Sequence, residues 1–212
     1  MQFKHIPIAA ALAEILVTVS VTCGATAQTA NPNDLDLDKV SESEISIADI
    51  SNPVSAGKTF AAATIMDSSV QKICAVIMDY AQYPQFMPNT DGTRIVSSSE
   101  NGAVIEMTLG LPLGKIKKYR LNMETEVKPQ SCLVAWRQIP WPELKPSETI
   151  ADTTGYWMLT PYSRDRSKTL VTYHVFADPG PVPFGLGWIV HAMSKISLPR
   201  TLEALRERVV AR

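Results

Sequence analysis

Histidine and cysteine are scarce in this sequence: the histidines are His5, His174 and His191, and the cysteines are Cys23, Cys74 and Cys132. There is no HExxH run and no cysteine cluster, so the residue set argues against a zinc site, and neither metal nor cofactor is expected. Charge is not in excess in either direction, and a formal net charge of −1 offers no basic surplus for a phosphate backbone, so no nucleic-acid partner is expected. Long apolar runs are missing as well. Residues 6–22 are mostly apolar but are interrupted by Glu14, and they fall short of the roughly 20 apolar residues that cross a bilayer. What is left, with 45% hydrophobic and 19% charged residues in a chain of 212 that has no internal repeat, is the composition of one ordinary folded domain.

The first residues differ from the rest. Lys4 and the amino terminus give a weakly positive start, an apolar stretch follows, and Ala25-Thr26-Ala27 has the small-x-small form of a cleavage site. Residues 1–27 therefore read as a secretory signal peptide cut near Ala27, with an uncleaved anchor as the alternative. A lipoprotein is disfavoured because Thr22, not a smaller residue, precedes Cys23. The expected destination is the periplasm or the outside of the cell, where a disulfide between Cys74 and Cys132 can persist. Cys74 shares helical spacing with Val70, Ile73 and Ile77, however, and reads best as a buried thiol acting as a small hydrophobe, its pairing with Cys132 left open. Residues 28–54 carry Asp34, Asp36, Asp38 and Glu42 against Lys39 and form an acidic, mostly flexible leader. Within it, Ile45, Ile47 and Ile50 mark a short edge strand.

Residues 55–212 make the folded domain. Lys58 to Met66 reads as the first firm strand, and Ser68 or Ser69 caps a helix running to about Tyr80, with Val70, Ile73, Cys74, Ile77 and Met78 on its apolar face. A shorter helical turn follows over residues 81–86. From Thr93 the period becomes two, and strands are expected over residues 95–98, 103–109, 119–127, 132–138, 154–160 and 168–177. Asn101-Gly102 marks a hairpin turn, since both residues tolerate positive φ. In the clearest strand, Tyr119, Leu121, Met123, Thr125 and Val127 share one face and Arg120, Asn122, Glu124 and Glu126 the other, so one face is buried and the other wet. A long helix ends the chain. Leu186, Ile189, Val190, Met193 and Ile196 form an apolar stripe that Leu202, Leu205 and Val209 continue, with a kink expected at Pro199.

Four stretches resemble one known superfamily: Asp79-Tyr80-Ala81-Gln82-Tyr83-Pro84-Gln85-Phe86-Met87-Pro88, then Gly155-Tyr156-Trp157-Met158-Leu159-Thr160-Pro161, then Thr169-Leu170-Val171-Thr172-Tyr173 with Asp178-Pro179-Gly180, and Leu198-Pro199-Arg200-Thr201-Leu202. With the element order, they resemble START-like (SRPBCC) proteins over residues 55–210, of the polyketide cyclase/dehydrase and lipid transport type, and more loosely the coenzyme-Q-binding branch. The resemblance implies an α+β helix-grip (START/Bet v 1-like) fold, a curved antiparallel sheet of about seven strands wrapped around a long C-terminal helix. It also implies an internal cavity for a hydrophobic small molecule.

Successive turns of an antiparallel meander alternate between the two ends of the sheet. One end receives short polar turns around Asn101, Gln130 and Arg164. The other receives proline-rich loops bearing Leu111, Leu113, Trp141 and Phe184, which form either the mouth of the cavity or a plug folded over it. Inward parity selects Met107, Leu121, Met123, Trp136, Trp157, Tyr173 and Val175 as ligand contacts, joined by Leu186, Ile189 and Met193 of the helix. Val134, Leu159 and Val171 share that parity, and an ordinary filled core explains the same pattern. His174, Arg120 and Glu124 point outward, leaving Tyr173 and, less directly, His191 and Arg137 as a thin inventory for acid/base chemistry. The expected function is to bind or carry a lipid, a sterol or hopanoid, or a quinone, with transient membrane contact. A cyclase/aromatase-type enzyme and a periplasmic protein-interaction module are the competing readings.

Overall fold

The computed structural model describes residues 35, 37, 40–181 and 187–212, with the backbone alone described for Leu113 and for residues 187–196. The expected signal segment, residues 1–27, and the first part of the leader, residues 28–34, 36, 38 and 39, lie outside the described residues. The chain forms β1 (Ser46–Asp49), β2 (Lys58–Met66), α1 (Val70–Ile77) and a 3-10 segment (Tyr80–Gln85). Then come β3 (Thr90–Ser99), β4 (Gly102–Gly110), β5 (Ile116–Lys128), β6 (Ser131–Ile139), β7 (Asp152–Tyr162), β8 (Asp165–Asp178) and α2 (Gly187–Ala211). All eight strands join one antiparallel sheet in the order β1-β2-β8-β7-β6-β5-β4-β3. The six-strand meander read from the period of two is present, and the short β1 is what raises the count above the expected number.

β2 lies beside β8, Lys58 opposite Ala177 and Met66 opposite Thr169, which brings the first long strand against the last. Its run of alanines is buried on both faces: Ala62 and Met66 face the main core, while Ala61, Ala63 and Ile65 pack against Leu35 and Val40. The leader is thus tied down from Val40 onward. Ser41 O accepts the Ile65 N–H and the Thr64 hydroxyl, each at 3.2 Å, and Glu42 pairs with Lys168. Composition alone concealed this, because the docking uses sparse apolar residues and backbone groups.

α1 has only eight residues, too few to hold a helix unaided in water. Ser69 caps it by accepting the Lys72 N–H at 3.2 Å, and Val70, Ile73, Cys74, Val76 and Ile77 bury its apolar face. Cys74 is disulfide-bonded to Cys132 of β6, with the Cα atoms 6.1 Å apart. The buried-thiol reading is corrected here: helical spacing places Cys74 in the core but says nothing of which residue, 58 positions on, will face it.

The hairpin between β3 and β4 is where Asn101-Gly102 put it, but for a different reason. Asn101 and Gly102 are not among the positive-φ residues. A Cβ on Gly102 would sit 2.2 Å from the Met123 carbonyl oxygen, so glycine is demanded by the close approach of β5. α2 runs through Pro199, and Leu198, Leu202, Leu205 and Val209 form its buried stripe. Its C-terminal end is clasped by the 3-10 segment: the Arg208 guanidinium stands 5.7 Å from the Phe86 ring centroid and donates to Gln82 Oε1 at 3.2 Å, while Arg212 pairs with Asp79. Arg208 also complements the negative end of the helix dipole.

Closing a loop of 58 residues constrains the unfolded chain by about 4 kcal/mol in the chain-entropy model. The double variant Cys74→Ala/Cys132→Ala should therefore lose about 2–4 kcal/mol of stability while keeping its far-UV circular dichroism. Urea unfolding checks it, and reductant should bring the wild type to a similar midpoint without affecting the variant.

Candidate functional site

The inner face of the sheet borders a cavity of about 670 Å³, within the range of small-molecule sites. Alternation on each strand supplies its wall: Ile105, Met107 and Leu109 from β4, Lys117, Tyr119, Leu121 and Met123 from β5, Trp136 from β6, Thr153 and Trp157 from β7, and Tyr173, Val175 and Ala177 from β8. Ser197 and Thr201 of α2 and Tyr83 and Met87 from the 3-10 region complete it. The rim is made by Leu111, Pro112 and Lys115 between β4 and β5, Ser147 and Ile150 between β6 and β7, and Pro179 and Pro181 after β8. These are the loops at the end of the sheet opposite the short polar turns.

Met107, Leu121, Met123, Trp136, Trp157, Tyr173 and Val175 all line the cavity, as does Leu111 on the rim. Phe184 and Leu186, and the side chains of Leu113, Ile189, Met193 and His191, lie outside the described residues. Trp141 is not on the wall. Its ring lies 4.7 Å from the Arg120 guanidinium, on the outer face of the sheet. Val134, Leu159 and Val171 share the inward parity yet are fully buried in packed core and do not reach the cavity. They occupy the end of the sheet that α1 and the disulfide fill.

At the centre of the wall, Tyr173 lies against two indoles, its ring centroid 5.6 Å from that of Trp136 and 4.1 Å from that of Trp157. Trp136 can lie flat because it passes over Gly155, where a Cβ would come within 2.4 Å of the indole. Burial pushes the Tyr173 phenol far up and the Tyr119 phenol to about 12, so both stay protonated at neutral pH. They can give and accept hydrogen bonds but cannot serve as bases. Tyr83 is already committed, donating to Ile77 O at 2.6 Å.

Lys117 is the charged group that the sequence reading missed. It is 9% exposed, lines the cavity and donates to Pro179 O, and burial lowers its pKa while the nearby Asp178 carboxylate works in the opposite direction. The signal for it was available: carrying the period of two back one step from Tyr119 places residue 117 on the same face, but the apolar pattern had been stopped at Tyr119. Arg137 is exposed and lies 3.7 Å from Glu124. His174 stacks on Tyr156 on the outer face, with its pKa lowered by burial. Among the described residues, no three His, Cys, Asp or Glu side chains come together to hold a metal.

Outside the cavity, Glu106 is buried between Arg94 and Arg120 across β3, β4 and β5, at 2.6 Å and 2.8 Å. Burial alone would raise its carboxyl pKa, but hydrogen bonds from Arg120 and Arg94 outweigh that and hold it below the ordinary value. Glu106 thereby fixes Arg120, and Arg120 fixes Trp141.

A family model for proteins described as "polyketide cyclase / dehydrase and lipid transport" matches residues 66–206. The chain belongs to this family. Solved structures agree on the fold. A STAR-related lipid transfer protein fragment from Xanthomonas axonopodis superposes with a TM-score of 0.67 at 18% identity, covering 78% of this chain and 93% of that one. Human StAR-related lipid transfer protein 5 gives 0.67 at 12% identity, covering 86% and 89%. The Zhui aromatase/cyclase from Streptomyces sp. R1128 gives 0.59 at 13%, covering 74% and 95%. No curated protein sequence matches. At such identities the likeness is one of fold, and this member of the polyketide cyclase / dehydrase and lipid transport family must be read from its own cavity.

Two outcomes follow from these contacts. A Cβ at residue 155 would also stand 2.2 Å from the His174 carbonyl oxygen, so Gly155→Ala should shift the β8 backbone as well as the Trp136 ring and cost at least about 1–3 kcal/mol, as overpacking does, with a changed tryptophan emission spectrum as the direct readout. Glu106→Gln should destabilise most at neutral pH. The stabilisation that the lowered pKa represents is complete above the ordinary value of 4.5 and is lost as the pH falls through the lower folded value. Urea midpoints of wild type and variant should therefore converge on acidification, and a gap that stays constant with pH would count against the ion triad.

Proposed function

We propose that this is a secreted START-like protein that binds or carries a hydrophobic small molecule, of lipid, sterol or hopanoid, or quinone type, in its internal cavity. The observation that carries the reading is the cavity itself: about 670 Å³, walled mainly by methionine, leucine, isoleucine and aromatic side chains and rimmed by apolar, proline-bearing loops at one end of the sheet. Hiding about 400 Å² of apolar ligand surface would gain on the order of 10 kcal/mol at about 25 cal/mol per Å², from which ordering and immobilisation subtract a substantial part. Apolar burial therefore suffices for useful affinity. Met107, Leu121, Met123, Trp136, Trp157, Tyr173 and Val175 are the proposed contacts. Delivery to the periplasm rests on the leading segment and is supported by the Cys74–Cys132 disulfide, a bond that persists in oxidising compartments. Leu111, Pro112 and Ile116 at the rim suit transient contact with a membrane during loading. Catalysis of the cyclase/aromatase type is the weaker reading, because burial keeps the cavity tyrosines protonated and leaves Lys117 and Asp178, both at the rim end, as the candidate acid/base groups.

Native mass spectrometry of the protein taken from the periplasm, followed by extraction, should show a bound lipid or quinone. Met123→Trp, which fills the cavity from its wall, should weaken binding at least tenfold while leaving the melting temperature of the free protein within a few degrees. A protein that retains nothing and shows no affinity for quinones, sterols or phospholipids would defeat the reading.

A further inference from the structure

Lys117 has no place in a purely apolar site. It stands on β5 in the inward row with Tyr119, Leu121 and Met123, and it is 9% exposed. An ammonium group offers three donors. Here the protein supplies one acceptor, the Pro179 carbonyl. No carboxylate lies within 4.0 Å of it among the described residues; Asp178 also lines the cavity but acts on Lys117 only at longer range and spends its Oδ1 on the Gly180 N–H at 2.8 Å. The contrast with the outer face is direct, since Arg94 and Arg120 there both rest on Glu106. A buried cation with spare donors in an apolar wall is costly unless a partner completes it. Lys117 also sits at the rim end of the row, next to Lys115, Ile116 and Pro179, while the aromatic group of Trp136, Trp157 and Tyr173 lies deeper. A ligand with its apolar body on the aromatics would carry its polar end to the lysine.

We infer that the cavity takes acidic amphiphiles, and that Lys117 binds their carboxylate or phosphate head at the mouth through the ammonium donors that Pro179 leaves free. This rests on the hydrophobic-cavity reading above and narrows it to ligands with a single anionic head. The lysine is the specificity determinant, and charge-assisted hydrogen bonds to an oxyanion are the strong class of such contacts.

Tryptophan emission reports binding, because Trp136 and Trp157 line the cavity. Hexadecanoate, hexadecyl phosphate and hexadecanol, each below its micelle concentration, separate the two kinds of anionic head from an uncharged one on the same chain. The wild type should bind one or both anions at least tenfold more tightly than the alcohol. Lys117→Met should erase that preference while changing hexadecanol affinity less than twofold, and Lys117→Arg should restore it. Asp178→Asn, which keeps an acceptor for the Gly180 N–H, should tighten anion binding several-fold and leave the alcohol unchanged. Equal weakening of all three ligands in Lys117→Met would overturn the inference and leave the lysine as a brace for the Pro179 loop. Binding without head-group preference in the wild type would overturn it too, while sparing the cavity reading. If none of the amphiphiles binds, the inference falls, and the cavity reading is then decided separately by affinity for quinones, sterols and phospholipids.

Discussion

An antiparallel sheet of eight strands at about 4.8 Å spacing is roughly 34 Å across, and a helix about 10 Å in diameter cannot cover its apolar face. Everything distinctive about the molecule follows from how that shortfall is met. At one end α1, pinned by Ser69 and by the Cys74–Cys132 bond, joins the C-terminal half of α2 and fills the space, so that Val134, Leu159, Val171 and Leu202 become solid core. Toward the other end Ser197 and Thr201 of α2 face the sheet across a cavity. The same inward rows continue there, and their side chains border open volume instead of one another.

The two faces of the sheet manage charge in opposite ways. On the outer face Glu106 gathers Arg94 and Arg120 into a triad, and Arg120 in turn supports Trp141, so a cation, an anion and an aromatic satisfy one another. On the inner face Tyr119 and Tyr173 are held neutral by burial, and Lys117 is left with one backbone acceptor. The first arrangement is complete without a ligand. The second is not.

Much of this architecture could be read from the order of residues, because sheet geometry is locally encoded. Alternation in β5 and β6 fixed which side chains face inward, and the parity of the turns fixed which loops gather at the rim. Tertiary placement was harder to read. Trp136 and Val134 sit two residues apart on one face, yet one borders the cavity and the other is core, because what decides between them is α1 arriving from 58 residues away in sequence. Trp141 looked like a mouth residue from its proline-flanked loop, but Arg120 draws it over the outer face. Gly102 looked like a turn residue, but the β5 backbone requires it. Lys117 lay outside the strand read over residues 119–127, whereas β5 begins at Ile116 and its inward row includes Lys117.

An apolar wall recognises size and shape, and it discriminates poorly among ligands of similar bulk, since each methylene is worth only about 0.8 kcal/mol. A single buried cation changes the problem, because leaving it unpaired carries a cost that a neutral ligand relieves less than an anionic one does. Placing that cation at the rim end of an inward row lets the rest of the row remain apolar, so the chemistry of the head is separated from the fit of the body. The Pro179 carbonyl would then link the two, since the ammonium group proposed to meet an incoming head with its remaining donors also donates to the start of the β8–α2 connection. A competing acceptor at Lys117 would thus act on the loop at the mouth and on the ligand through one ammonium group.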